Sequence, residues 1–184
     1  MARWAVISGE DGEQNAALAL ELVAELRSAG VRVGGYVQRK YVDADGKKGY
    51  DLVRLRDDET VPLALEGAAA KAPGEETFCS LVFQQTGFDA ARRWLEEDVP
   101  FSDLLVLDAI SKLEVSGKGH AATLEAALRV PDKLVLLCVR ASQLVYAFER
   151  FKLADLEIVA ELELPAESAA RTAFARELAV ACAP

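Results

Sequence analysis

Residues 3–30, RWAVISGEDGEQNAALALELVAELRSAG, change hydrophobic period part-way along, and that change decides the fold. Residues 3–8 are short, apolar and β-branched, and Gly9 and Gly12 bound them, so they read as a buried strand. From Asn15 to Ala29 the period becomes helical: Leu18, Leu22 and Leu26 recur every four residues beside Ala19 and Val23. Gly30 then supplies the left-handed stop that a helix C-terminus favours. Outward from this strand–loop–helix unit, residues 31–40 and 50–56 are strand-like runs flanking the turn-rich DADGKKG of 43–49, which predicts an antiparallel hairpin. Gly34 and Gly35 interrupt the first run and mark a bulge or a close backbone approach. Residues 66–76, EGAAAKAPGEE, lack apolar periodicity and read as an exposed connection.

From there the chain alternates. Strands are predicted at 78–83, 104–108, 134–139 and 156–162, with helices at 88–97, 120–129, 142–151 and 166–181. Continuous apolar strands such as LLVLD (104–108), separated by helices, imply a parallel sheet covered on both faces, an α/β fold of three layers. At 184 residues the chain makes one domain, 1–184, and needs no cofactor to fold. Twenty-one basic against thirty acidic side chains, a net charge of −9, argue against nucleic acid or an anionic membrane as partner. No basic-then-apolar leader and no membrane-length apolar run are present, so a cytoplasmic location is expected. Cys79, Cys138 and Cys182 have no metal-type spacing and read as small core hydrophobes; Trp4, Trp94, Tyr146 and Phe148 read as core aromatics. The Leu/Val-rich stretches 153–164 and 173–182 could supply an apolar face for a homo-oligomer.

Parallel sheets bind ligands beyond the carboxyl ends of their strands, so the residues after Ser8, Asp108 and Val139 matter most. The first loop, Gly9-Glu10-Asp11-Gly12-Glu13-Gln14-Asn15-Ala16, has the setting of a phosphate cradle but not its chemistry. The pattern G-x-x-x-x-G-K-[ST] requires glycine, lysine and a hydroxyl where Gln14, Asn15 and Ala16 stand. Three carboxylates beside the helix N-terminus repel a polyphosphate and can occupy that positive end themselves. Asp108 ends its strand as a magnesium ligand would, or as a cap of the following turn; Ala109 follows it where a water-handling acid is common. Lys112, Glu114 and Lys118 lie on a polar, glycine-bearing loop that either contacts an anion or is merely solvated. His120 reads as a surface residue at a helix start, the alternative being a general base. Arg140 stands at a strand end, where it reaches a bound anion or faces solvent.

Together, ISGEDG (7–12) before a long helix, AGVRVGGYVQRK (29–40), DGKKGYDLVRL (45–55) with PLALE (62–66), and FDAARRWLEED (88–98) before DLLVLDAISKLEVSGKG (103–119) carry a resemblance. The chain resembles the P-loop nucleoside-triphosphatase family of the small thermophilic NTPases, and especially its degenerate relatives of unknown function. In active members the first loop is similar to G-x-x-G-x-G-K-T and the later strand ends D-E-x-G-x-M/L-E. Gly9, Gly12, Asp108 and Glu114 match; Gln14, Asn15, Ala16, Ala109 and Ser111 depart. The degenerate relatives, some encoded near molybdate-transport functions, are similar around Lys112 to Gly119.

The resemblance implies a mostly parallel sheet of P-loop NTPase type with an antiparallel hairpin insertion. The functional expectation is a non-hydrolytic binding, regulatory or partner-recognition module, with no catalytic residue. Its partner is a small anionic ligand or another protein, bound at Gly9, Asp11, Gly12, Glu13, Gln14, Asn15, Lys112, Lys118 and Arg140, with Asp108 as the candidate metal ligand. The alternatives are an NTPase that uses basic residues from other loops on a nucleotide with Mg²⁺, and a protein that binds a small oxyanion such as molybdate.

Overall fold

In the chain's computed structural model, which describes residues 2–67 and 73–183, the elements run β1 (Arg3–Gly9), α1 (Gly12–Ser28), β2 (Val33–Val42), β3 (Lys48–Arg54), β4 (Thr60–Glu66), β5 (Glu75–Phe78), β6 (Leu81–Gln84), α2 (Gln85–Asp98), β7 (Leu104–Ile110), α3 (Lys112–Val115), α4 (Ala121–Leu128), β8 (Leu134–Arg140), α5 (Leu144–Arg150), β9 (Glu157–Glu163) and α6 (Ser168–Cys182). The strands form one sheet ordered β5-β6-β4-β3-β2-β7-β8-β1-β9. From β2 to β9 neighbours are parallel; from β2 to β5 they are antiparallel.

The apolar strands work as expected, because successive side chains point to opposite faces. On β7, Leu104 and Val106 pack with α1 and α6, while Leu105 and Leu107 pack with α2 and α4; on β8, Leu134, Leu136 and Cys138 take the first face and Val135, Leu137 and Val139 the second. Helix α1 begins at Gly12 rather than Asn15, because Asp11 caps it and accepts from the Glu13 amide at 2.9 Å. It ends as predicted: Gly30 at φ +88 lets its amide reach Arg27 O and lets the Val31 amide reach Leu26 O, both at 3.0 Å.

The predicted hairpin, β2–β3, is the start of a larger antiparallel extension. Strand β4 was not anticipated, since Pro62 interrupts its pattern; the structure places Pro62 where the β3–β4 register shifts. The single strand expected at 78–83 is the hairpin β5–β6, which turns at Cys79 with φ +55. Of the predicted connection 66–76, Glu66 closes β4 and Glu75 opens β5, while 68–72 lie outside the described residues.

Other expectations need correction. Cys79 is exposed. Tyr146 and Phe148 are 56% and 39% exposed on α5, with Phe148 edge-on to the buried Trp4 ring. In the stretches considered for an oligomer face, Leu153, Ala160, Leu162, Phe174 and Leu178 enter this chain's own core, while Ile158 and Val180 are exposed; neither observation decides whether the face meets a second copy.

Two features lock the extension to the parallel sheet. Gly34 and Gly35 mark a close approach: Gly35 has φ +93, and a Cβ there would lie 2.8 Å from Val106 N and collide with the Val106 carbonyl. Beside it the fully buried Asp98 carboxylate accepts from the Gly35 amide at 3.0 Å and from the buried Arg54 guanidinium at 2.6 Å. Gly35→Ala should therefore cost about 2 kcal/mol or more in urea unfolding. Gly12→Ala, with open space at its Cβ, should be near neutral, and equal costs would contradict the steric reading.

Candidate functional site

The loops after β1 and β8 leave the sheet toward opposite faces, to α1 and α5, and a crevice opens between them at the carboxyl ends of the strands. This cleft has a volume of about 680 Å³. One side is the first loop and the start of α1; the floor is the end of β7 and the loop to His120; the far wall is Leu63, Phe78, Leu81 and Phe83 from the antiparallel extension.

The first loop is closed on itself. Asn15, only 2% exposed, donates both amide hydrogens to backbone carbonyls, Gly9 O and Val139 O, each at 3.1 Å. That geometry fixes the amide orientation, because a flipped amide would set oxygen against two carbonyl oxygens. The oxygen Oδ1 then packs over Gly9, where a Cβ would collide with it. The three acids of the loop also have partners: Asp11 caps α1, Glu13 pairs with Lys40, and Glu10 accepts from Ser142 Oγ at 3.2 Å. The positive end of α1 is thus occupied by a side chain of its own loop.

The floor holds two buried carboxyls. Asp108 is turned by a break in the β7–β8 register and by Ala109, whose φ of +65 is left-handed. Its Oδ2 accepts from the Gln38 amide at 2.9 Å, and burial, opposed by the Gln38 and Ala109 amides, pushes its pKa up to about 6. Glu114 closes a capping box on α3, accepting from Ser111 N at 3.0 Å and Ser111 Oγ at 3.3 Å, and its other oxygen accepts from His120 N at 3.3 Å. Burial raises it to about 7. His120 lies between the Tyr36 and Phe88 rings, each centroid 4.8 Å away, and neither ring nitrogen has a hydrogen-bond partner. Burial holds it neutral by lowering its pKa to about 3. Tyr36, also buried and with an unpartnered hydroxyl, is raised well above its ordinary value by burial and then by Glu114 and Asp108.

Of the residues singled out in the sequence, Asp11, Gly12, Glu13, Asn15, Asp108, Lys112 and Arg140 meet around this cleft. Gly9 sits behind Asn15 and Gln14 faces solvent, and neither lines it. Lys118 does not line it either; it pairs with Glu76 of β5. His120 is 1% exposed, a correction to the surface reading, and Glu114, 2% exposed, is not solvated but accepts from Ser111 and from the His120 amide. Among the described residues no group of three or more His, Cys, Asp or Glu side chains is placed to hold a metal ion, so Asp108 is not part of such a cluster. Gln38 and the extension's apolar wall were missed, since only the folded sheet brings them to the strand ends.

A family model described as "Protein of unknown function (DUF2478)" matches residues 4–169. The chain belongs to the DUF2478 family. This DUF2478 protein is 22% identical over 130 residues to the nucleoside-triphosphatase THEP1 of Methanocaldococcus jannaschii, covering 71% of this chain and 74% of that one. Its fold is that of a human cancer-related nucleoside triphosphatase solved in solution (TM-score 0.66, 20% identity, 94% of each chain). It also matches the crystal structure of THEP1 from the hyperthermophile Aquifex aeolicus (TM-score 0.68, 16% identity, 95% of this chain and 96% of that one). The mixed, mostly parallel α/β sheet expected from the sequence is therefore the NTPase-like fold. Among the described residues of this DUF2478 chain, no helix is long and apolar enough to cross a membrane.

The buried groups on the floor make stability depend on pH with opposite signs. His120, its pKa depressed, contributes stability present above about pH 6.5 and lost as pH falls toward 3. Asp108 and Glu114, raised, contribute stability present below about pH 4 and lost as pH rises through 6 and 7. His120→Phe in this DUF2478 protein should gain about 2 kcal/mol more, relative to the parent, at pH 5 than at pH 7.5. Urea unfolding at the two pH values measures this, and an equal difference at both would show that the imidazole is not buried neutral.

Proposed function

We propose that this protein binds a small anionic ligand in the cleft, as a regulatory or recognition module, and does not hydrolyse nucleoside triphosphates by P-loop chemistry. One observation carries the reading: Asn15, at the position of the loop lysine in the pattern, has both amide hydrogens bound to Gly9 O and Val139 O. A neutral, backbone-bound amide supplies no charge to a transferring phosphoryl group. Ala16 offers no hydroxyl for a magnesium ion, and Asp11 already caps the helix end. Electrostatic stabilisation of a migrating phosphoryl group is the main catalytic resource of such sites, and contributions of this kind are each worth factors of about 10³ or more. What the cleft retains for an anion is Lys112 and Arg140, exposed at its rim; among the described residues no carboxylate forms an ion pair with either.

Those same two cations support the second reading, an NTPase that recruits basic groups from other loops. The similarity to THEP1 nucleoside-triphosphatases favours a nucleotide as ligand under either reading. Thermal unfolding with ATP, GTP, AMP, molybdate and sulfate, with and without Mg²⁺, alongside a phosphate-release assay, separates the two. The expected result is a rise in Tm of about 5–10 °C with at least one anion at a hundredfold its Kd. That rise should shrink in Arg140→Ala, and phosphate release should stay at background. Mg²⁺-dependent release that Asp108→Asn abolishes would establish the enzyme instead.

A further inference from the structure

We propose that the floor of the cleft is an acceptor-lined subsite for the N–H-rich head of the ligand, an amine, amidine or amino-substituted heterocycle, whose anionic tail lies on Lys112 and Arg140. This rests on the binding reading above and narrows the chemistry of its ligand.

Asp108 and Glu114 are each 2% exposed, and both line the cleft. Their partners are the Gln38, Ala109, Ser111, Glu114 and His120 amides and the Ser111 hydroxyl; among the described residues no lysine or arginine pairs with either. A desolvated carboxylate without a counter-charge is costly, and protonation or a cationic or donor-rich guest relieves that cost. The second, independent observation is His120. Its ring lines the same cleft, is 1% exposed, and leaves both nitrogens without a partner. As a neutral ring it offers one acceptor nitrogen and one N–H. Leu63, Phe83 and Leu113 complete the floor and wall, so a flat or aliphatic body fits between the polar end and the apolar side. The cleft thus has a polarity of its own, with acceptors at depth and cations at the rim. A wholly anionic guest would satisfy the rim and face two carboxylates below. A guest with N–H donors at one end and an acid at the other satisfies both.

Calorimetric titration in EDTA compares two ligand pairs. AMP and IMP differ by an amino donor against a ring carbonyl, and 4-guanidinobutyrate and butyrate share a carboxylate tail but differ in the head. In at least one pair the N–H-rich member should bind about tenfold tighter or more, as sites built around a hydrogen bond discriminate. The preference should fall below about twofold in Asp108→Asn and in His120→Phe, with folding of each checked by thermal unfolding, while Arg140→Ala weakens both members of the pair alike. His120→Phe should also be more stable than the parent, whereas a merely structural histidine would lose stability on replacement. A response in the first pair assigns the head to a nucleobase, and in the second to an organic cation. Equal affinities within both pairs, still sensitive to Arg140→Ala, would overturn the acceptor floor and leave the anion-binding reading standing. No binding by any of the four would overturn the acceptor floor, and the binding reading with it if ATP, GTP, molybdate and sulfate also leave Tm unchanged; Mg²⁺-dependent phosphate release would remove the binding reading alone.

Discussion

The Asn15 amide ties the end of β1 to the end of β8, and the shape of the cleft follows from that tie. Two hydrogen bonds satisfy the Asn15 amide nitrogen in a buried place, where leaving it bare costs about 1–3 kcal/mol. A lysine at the same position would carry a charge and a long stem that this short, folded-back contact does not accommodate. Once the loop is closed in this way, its acids turn to local partners on α1, β2 and the turn before α5. Among the described residues, Lys112 and Arg140 keep no carboxylate partner at the rim, Arg140 in register with Gly9.

The floor shows the opposite economy. Asp108, Glu114, His120 and Tyr36 are all nearly inaccessible, yet two of the four carry polar atoms with no partner and the other two are carboxyls with only neutral donors. Buried polar groups in a well-packed domain are normally satisfied, and exceptions gather where a protein does something besides fold. Of the unpartnered buried side-chain atoms among the described residues, Trp4 Nε1 lies at the start of β1, whereas Asn15 Oδ1, Tyr36 OH and both His120 nitrogens gather toward the carboxyl edge of the parallel sheet, which gives this edge its functional interest.

How much of this was legible in the sequence varies by element. The parallel half was readable because LLVLD and KLVLLCV alternate faces between helices whose periods are clean, and Gly30 stops α1 where a glycine should. The antiparallel half was harder. Pro62 disguised β4, and a cysteine in a left-handed turn gave no hint of the β5–β6 hairpin, which a glycine would have announced. At the site, Asp11 was legible as a competitor for the helix end because capping is local. His120 was not, because its burial depends on Tyr36 and Phe88, distant residues that meet it only in the folded chain. The anchor of Asn15 on Val139 spans 124 positions and left no local trace either.

The clasp between Arg54 and Asp98 has a bearing on how the cleft breathes. Strands β3 to β6 join the parallel sheet along β2 alone, through the β2–β3 ladder, and the buried ion pair with its Gly35 amide contact is a buried polar fastening beside that ladder. Such an appendage can open as a cooperative unit of its own, uncovering Leu52 and Leu63, which it lends to the core on the α2 face. Amide protons in β4 and β6 would then exchange with solvent faster than those of β7 and β8. A guest would meet a site whose far side loosens in advance of the rest, with capture limited by closing of that side and not by diffusion through a rigid mouth.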